Sequence, residues 1–210
     1  TPSGKVDLHR YSNNRIAAPI EDHGLRIYDI TDSSDLCFTD PWTDENAVMT
    51  SSIVSQGYLY TNTGTNSMDI FSLNTTQPGV SENCSTPISL TPTNIDLSPA
   101  IYSPVLYGSI DNNLYTGFIN MILTYNLEAP LAPSASQTLY QHSDFLSLYS
   151  SLGNGFALLT TINSGAGRTK VVIYDIKSSL AVEQISELES DSEDPITNSD
   201  QFVFYQDYAI

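Results

Sequence analysis

Residues 24–30 read GLRIYDI, and the same frame returns three times: SMDIFSL at 67–73, MILTYNL at 121–127 and KVVIYDI at 170–176. Each copy carries an Ile or Thr, then an aromatic, then a short polar residue, then Ile or Leu. The aromatics are Tyr28, Phe71, Tyr125 and Tyr174, spaced by 43, 54 and 49 residues. Units of 40–50 residues built from short apolar runs point to a β-propeller before any other fold.

Working outward from the motif, a second strand-like run precedes each copy, at 16–19, 59–62, 114–117 and 156–160. A turn signal stands just before each of these: Asn13-Asn14, Gln56-Gly57, Asp111-Asn112-Asn113 and Gly153-Asn154-Gly155. Asn and Gly tolerate the positive φ that tight hairpins demand. Ahead of each turn lies another apolar run, at 6–12, 47–55, 101–110 and 145–152, and a weaker one follows the motif, as at 136–141 and 180–188. Four antiparallel strands per unit make a propeller blade. The chain therefore reads as one all-β domain over residues 1–210, with units at about 5–46, 47–99, 100–142 and 143–194 and a partial fifth at 195–210.

The partial unit opens with QFVFY at 201–205, which matches the second strand of a blade. Read as a single strand over 201–208, it presents Phe202, Phe204 and Tyr205 with no Lys, Arg or Pro to blunt the edge. Such an edge needs a partner. The N-terminal run 5–11 would close a ring, and a neighbouring subunit would give self-association by strand addition.

The net charge is −17, from 7 Lys+Arg against 24 Asp+Glu. So few cations disfavour nucleic acid and anionic membrane surfaces as partners. No run of 18 apolar residues is present, so no membrane-spanning helix is expected. The chain opens Thr-Pro-Ser-Gly with neither signal peptide nor initiator Met, which reads as a mature or excised piece. Thirteen Tyr and few Lys suggest an extracellular or cell-surface protein.

The stretch GLRIYDITDSS at 24–34, with RIAAPIED at 15–22 ahead of it, resembles the LVIVD-type propeller repeat of large secreted or surface-anchored proteins. The other units keep only the apolar and aromatic frame: Gly24 becomes Ser67 and Asn120, and Asp29 becomes Ser72 and Asn126. The resemblance implies a fold and a compartment. It implies no reaction, because propellers host many functions.

Cys37 and Cys84 lie 47 residues apart, about one unit, and follow successive motifs. Adjacent units would bring them near each other, so a disulfide and two buried thiols both stand as readings. Asn74 and Asn83 begin glycosylation sequons. Trp42, among Asp40, Pro41 and Asp44, reads as lying in a loop between units. It is either an exposed ligand platform or the wedge that packs two blades, and the wedge is preferred. With Asp40, Asp44 and Asp111 it makes the candidate binding set.

His9, His23 and His142 have no metal-ligand spacing, and no GxSxG elbow marks a serine nucleophile. Asp7, Glu21, Asp22, Asp69 and Asp111 are the carboxylates that a glycosidase would draw on, though they share no repeat position. Calcium has two weak candidate loops, Asp29/Asp32/Asp35 and Glu189/Asp191/Glu193, neither with the EF-hand pattern. The reading is a non-catalytic module for protein or carbohydrate binding, adhesion or assembly, needing no cofactor. The alternative is a carbohydrate-active enzyme with two carboxylates in the axial funnel.

Overall fold

The computed structural model describes residues 6–32, 37–49, 51–63, 67–73, 89–97, 105–110, 112–118, 121–141, 147–153, 156–163, 168–175, 183–189, 204–205 and 208–209. The chain divides into two compact units, one of residues 1–106 with 130–132, the other of residues 107–129 with 133–210.

The first unit holds two sheets. One is β1 (His9–Ser12), β2 (Arg15–Ile20), β3 (Gly24–Asp29) and β4 (Cys37–Thr43); the next is β5 (Ser51–Ser55), β6 (Tyr58–Asn62), β7 (Ser67–Ser72) and β8 (Thr93–Asp96). The third sheet begins at the division between the units, with β9 (Val105–Ile110), β10 (Asn113–Phe118), β11 (Met121–Asn126) and β12 (Ser134–Gln141). The fourth is β13 (Ser147–Gly153), β14 (Phe156–Asn163), β15 (Arg168–Asp175) and β16 (Glu183–Glu189). In each sheet the strands pair antiparallel with their sequence neighbours. The described residues contain no helix. These are the four-stranded blades of a β-propeller.

Register makes the repeat exact in the backbone. Tyr28 lies opposite Ile16, Phe71 opposite Leu59, Tyr125 opposite Leu114 and Tyr174 opposite Ala157, each time one pair in from the open end of the ladder, where the second strand begins. The apolar residue closing the motif donates its N–H to the turn ahead of the second strand: Ile30 to Asn14 O at 2.8 Å, Leu73 to Gly57 O at 2.8 Å, Leu127 to Asn112 O at 2.7 Å. The short polar residue before it caps the exit turn. Asp29 Oδ1 accepts from the Thr31 N–H at 2.8 Å, and Asn126 Oδ1 from the Glu128 N–H at 2.7 Å. Asp, Ser and Asn favour that position because a short polar side chain can fold back on the backbone two residues on.

The hairpin turns solve one problem in two ways. Gln56 and Gly57 take φ of 52° and 79°, the doubly left-handed geometry that matches strand twist. Asn13 and Asn14 have no positive φ, contrary to expectation. Their turn is held by side chains instead, with Asn14 Nδ2 donating to Thr31 Oγ1 at 2.9 Å and Ser12 Oγ to Asn14 Oδ1 at 3.1 Å.

The core of the first unit lies between its sheets. Ala17, Leu25 and Ile27 of the first face Leu59, Phe71 and Leu73 of the second, with Ala47 and Met49 of the connecting segment filling between. Trp42 belongs to this core and not to a loop, because β4 runs through it. Ile27 pairs with Thr39 but Leu25 with Trp42, so Asp40 and Pro41 together oppose Arg26. This bulge re-aims the strand. It also suits Pro41, which has no N–H to give at an edge, while its carbonyl accepts from Leu90 N at 2.9 Å. The indole of Trp42 then reaches Phe71, with ring centroids 5.3 Å apart and planes at 58°. Trp42 thus packs the first sheet against the second.

Gly24 begins the founding motif for a steric reason. Its φ is +117°, and a Cβ there would stand 2.4 Å from the Trp42 carbonyl oxygen. The last strands also differ from expectation. Phe204–Tyr205 (β17) pairs with Tyr208–Ala209 (β18) as a two-stranded hairpin, so 201–208 is not one strand. A hairpin satisfies one edge locally, at low loop-closure cost. Phe202 lies outside the described residues, as do Asp111, Cys84, Asn74, Asn83, His142, Asp35, Asp191 and Glu193.

Candidate functional site

Among the described residues of the first unit, polar side chains gather in four sets. The first joins β1 to β5. Ser52 Oγ donates to Asp7 Oδ2 at 2.9 Å, and His9 Nε2 lies 2.7 Å from the same Ser52 oxygen. The residue types are those of a hydrolytic triad, but the order is wrong. Ser52 has one proton and gives it to Asp7, so Nε2 of His9 must be the donor. A serine nucleophile needs the imidazole to accept. Burial lowers the His9 pKa, against the pull of Asp7, and keeps the ring neutral. The cluster stitches two blades together.

The second set lies on β3 and β4. Arg26 Nε donates to Asp40 Oδ1 at 2.6 Å and Nη2 to Oδ2 at 2.9 Å, a two-point pair. Its guanidinium lies 4.0 Å from the centre of the Phe38 ring, and Tyr28 packs on Phe38 with centroids 5.9 Å apart. Phe38 is 48% exposed. The bond to Arg26 holds the Asp40 carboxyl below its ordinary pKa, and Asp40 in turn raises that of Arg26. Asp40 thus stands apart from the other expected binding residues.

The third set lines a cavity of about 130 Å³ between the first and second sheets. Trp42 and Asp44 enter it from the end of β4, residues 46–49 from the connection, and Thr63, Asp69 and Asn94 from the second sheet. Of the candidate binding set Trp42 and Asp44 line this cavity, together with Asp69, Asn94 and Thr63. Asp69 is only 7% exposed. Asn94 Nδ2 donates to its Oδ1 at 2.8 Å. Burial pushes the Asp69 carboxyl up, the Asn94 bond opposes this, and the negative charge of Asp44 adds to it. Asp44 itself caps a turn, with Oδ1 accepting from Asn46 N at 2.8 Å. Asp69 was legible as a carboxylate. Asn94 was not, because it pairs with Asp69 only through strand register across 25 residues.

The fourth set is the turn after β2. Asp22 takes φ of 58° and its N–H bonds the Ala47 carbonyl at 2.9 Å. The glycosidase candidates therefore disperse: Asp7 to the Ser52 cluster, Glu21 and Asp22 to this turn, Asp69 to the cavity. Among the described residues no three His, Cys, Asp or Glu gather as metal ligands. Asp29 of the first calcium candidate is engaged as a turn cap. Among the same residues no helix is long and apolar enough to cross a membrane, and no cysteine is a free thiol.

Two solved structures resemble this fold. The periplasmic gluconolactonase of Pseudomonas aeruginosa matches with a TM-score of 0.58 and 16% identity, over 90% of this chain and 55% of that one. The β-propeller domain of Cps50 (Swd1) from Myceliophteria thermophila matches with a TM-score of 0.53 and 12% identity, over 90% of this chain and 62% of that one. At such identities the likeness shows the propeller fold alone. The chain spans between half and two thirds of the length of these structures. No protein-family model matches the chain, and no curated protein sequence does.

Proposed function

We propose that the chain is a non-catalytic propeller module of an extracellular or surface protein, and that it binds a protein or carbohydrate partner. The observation that carries this is the Arg26–Phe38–Tyr28 platform on the first blade. An exposed aromatic ring with a guanidinium over its face, all on strands and pinned by Asp40, is a rigid recognition surface. Arg and aromatic residues dominate binding energy at such surfaces. Of the described carboxylates, Asp29 and Asp44 cap turns and Asp7 bonds Ser52 across the two sheets. The resemblance of residues 15–34 to the LVIVD-type repeat supports the compartment.

The test is a glycan and surface-protein binding array read with the wild type and Phe38→Ala. The partner is expected to be lost in the variant while its circular dichroism and Tm stay near wild type. The alternative, a glycosidase, draws on Asp44 and Asp69 lining one cavity. Against it, that cavity is well below the roughly 300–1,000 Å³ of ordinary ligand pockets. Turnover of chromogenic glycosides that Asp69→Asn abolishes would overturn the binding reading.

A further inference from the structure

The cavity between the first two sheets is electrostatically incomplete. Asp69 is more than nine-tenths buried, and its side chain accepts a hydrogen bond from the neutral amide of Asn94. The charge of a second carboxylate, Asp44, bears on it, and among the described residues no Lys, Arg or His lines the space. A buried carboxylate is costly unless a proton or a cation compensates it. The third wall is the indole of Trp42, held in place by Phe71 on one side and by the bulge on the other. The space, about 130 Å³, far exceeds the roughly 10–15 Å³ that one water needs.

We propose that this cavity binds the head group of a small organic ammonium ion, with Asp69 and Asp44 supplying the counter-charge and Trp42 the aromatic face. Aromatic rings attract alkylated ammonium groups through the ring quadrupole, and the attraction grows when the site is shielded from water. Calcium takes six to eight oxygen ligands, and among the described residues no three His, Cys, Asp or Glu gather here to begin such a shell. An alkylammonium needs no such shell. The chain's net charge of −17 draws any cation toward the surface and speeds its capture. The inference goes beyond the binding reading above and stands without it, because the platform at Phe38 and this cavity use different residues.

Trp42 is the single tryptophan of the chain, so its emission reports the cavity directly. The experiment titrates the whole chain with choline at constant ionic strength. The controls are 3,3-dimethylbutan-1-ol, a neutral molecule of the same shape, and calcium chloride. The expected result is a saturable change with choline only. The affinity should fall at least tenfold in Asp69→Asn. In the wild type it should also weaken as pH falls and Asp69 takes up its own proton. That pH series keeps the idea testable should the variant misfold. No saturable change with choline would overturn the proposal. So would an equal response to the neutral alcohol, an equal response to calcium, or an affinity independent of both pH and Asp69. Loss of partner binding in Phe38→Ala leaves these readings untouched, so the two proposals fail separately.

Discussion

The first two blades share strand order, the register of their second and third strands and a turn hydrogen bond, yet one repeat face does different work in each. Arg26 and Tyr28 of β3 occupy the positions that Asp69 and Phe71 hold in β7. Phe71 is fully buried, because the bulge in β4 of the first blade brings Trp42 down upon it. Tyr28 is half-buried and packs on Phe38 of its own sheet. Arg26 meets a carboxylate that completes it, whereas Asp69 accepts from a neutral amide inside a cavity. Backbone equivalence is thus a property of the repeat. The role of a side chain depends on what the preceding blade lays over it.

The largest expected effect separates the two aromatics. Phe71→Ala should cost about 3–5 kcal/mol in denaturant unfolding, the range for a buried aromatic. Tyr28→Ala should cost about 1 kcal/mol, since a half-exposed ring loses less on truncation. Equal costs would break the comparison.

Next come the residues that open the two motifs. Gly24→Ala should lower stability by roughly 2–4 kcal/mol, from a left-handed φ together with a Cβ driven into the Trp42 carbonyl. Ser67→Ala, at the equivalent place, should cost only about 1 kcal/mol, the worth of its hydroxyl's hydrogen bond to Thr63 Oγ1.

A smaller effect sets the two acids against each other in pH. The Asp40 pKa is lowered in the folded state, so its contribution is present above the unfolded carboxyl value and is lost as pH falls through the folded one. The Asp69 pKa is raised, so its contribution is present below the unfolded value and is lost as pH rises through the folded one. Asp69→Asn should therefore raise Tm at pH 7, and Asp40→Asn should lower it. Melting curves between pH 4 and pH 7 (about the span over which carboxylates finish titrating) would show the two variants departing from wild type with opposite signs.

The smallest expected effect tests the stitch between the blades. The folded pKa of His9 lies below its unfolded value, near 6.5. Its contribution is complete above that value and is lost as pH falls below it, because the unfolded chain binds the extra proton. His9→Gln should flatten the stability profile between about pH 5 and pH 7. An unchanged slope would show that the imidazole does not sense the fold.

The strands and their order were legible in the chain itself. Apolar and aromatic residues at a fixed offset from an Asn or Gly turn specify a hairpin and its register locally, and four repeats say it four times. That is why Tyr28, Phe71, Tyr125 and Tyr174 fall on one position of the third strand in every sheet. The polar end of the motif was legible as a residue type, though its turn-capping use needed coordinates.

What only tertiary structure decided lies where two sheets meet. An extra residue in β4 reverses which way the strand faces, and nothing in the string Asp40-Pro41-Trp42 announces that. Asp40 and Asp44 look alike in sequence, but the bulge turns one to Arg26, while the other reaches the cavity and Asp69. Asn94 joins that site across a register set by β7 and β8. Contacts of this kind depend on the relative placement of distant segments. Local pattern fixes the period of a strand, but not the neighbour that covers it.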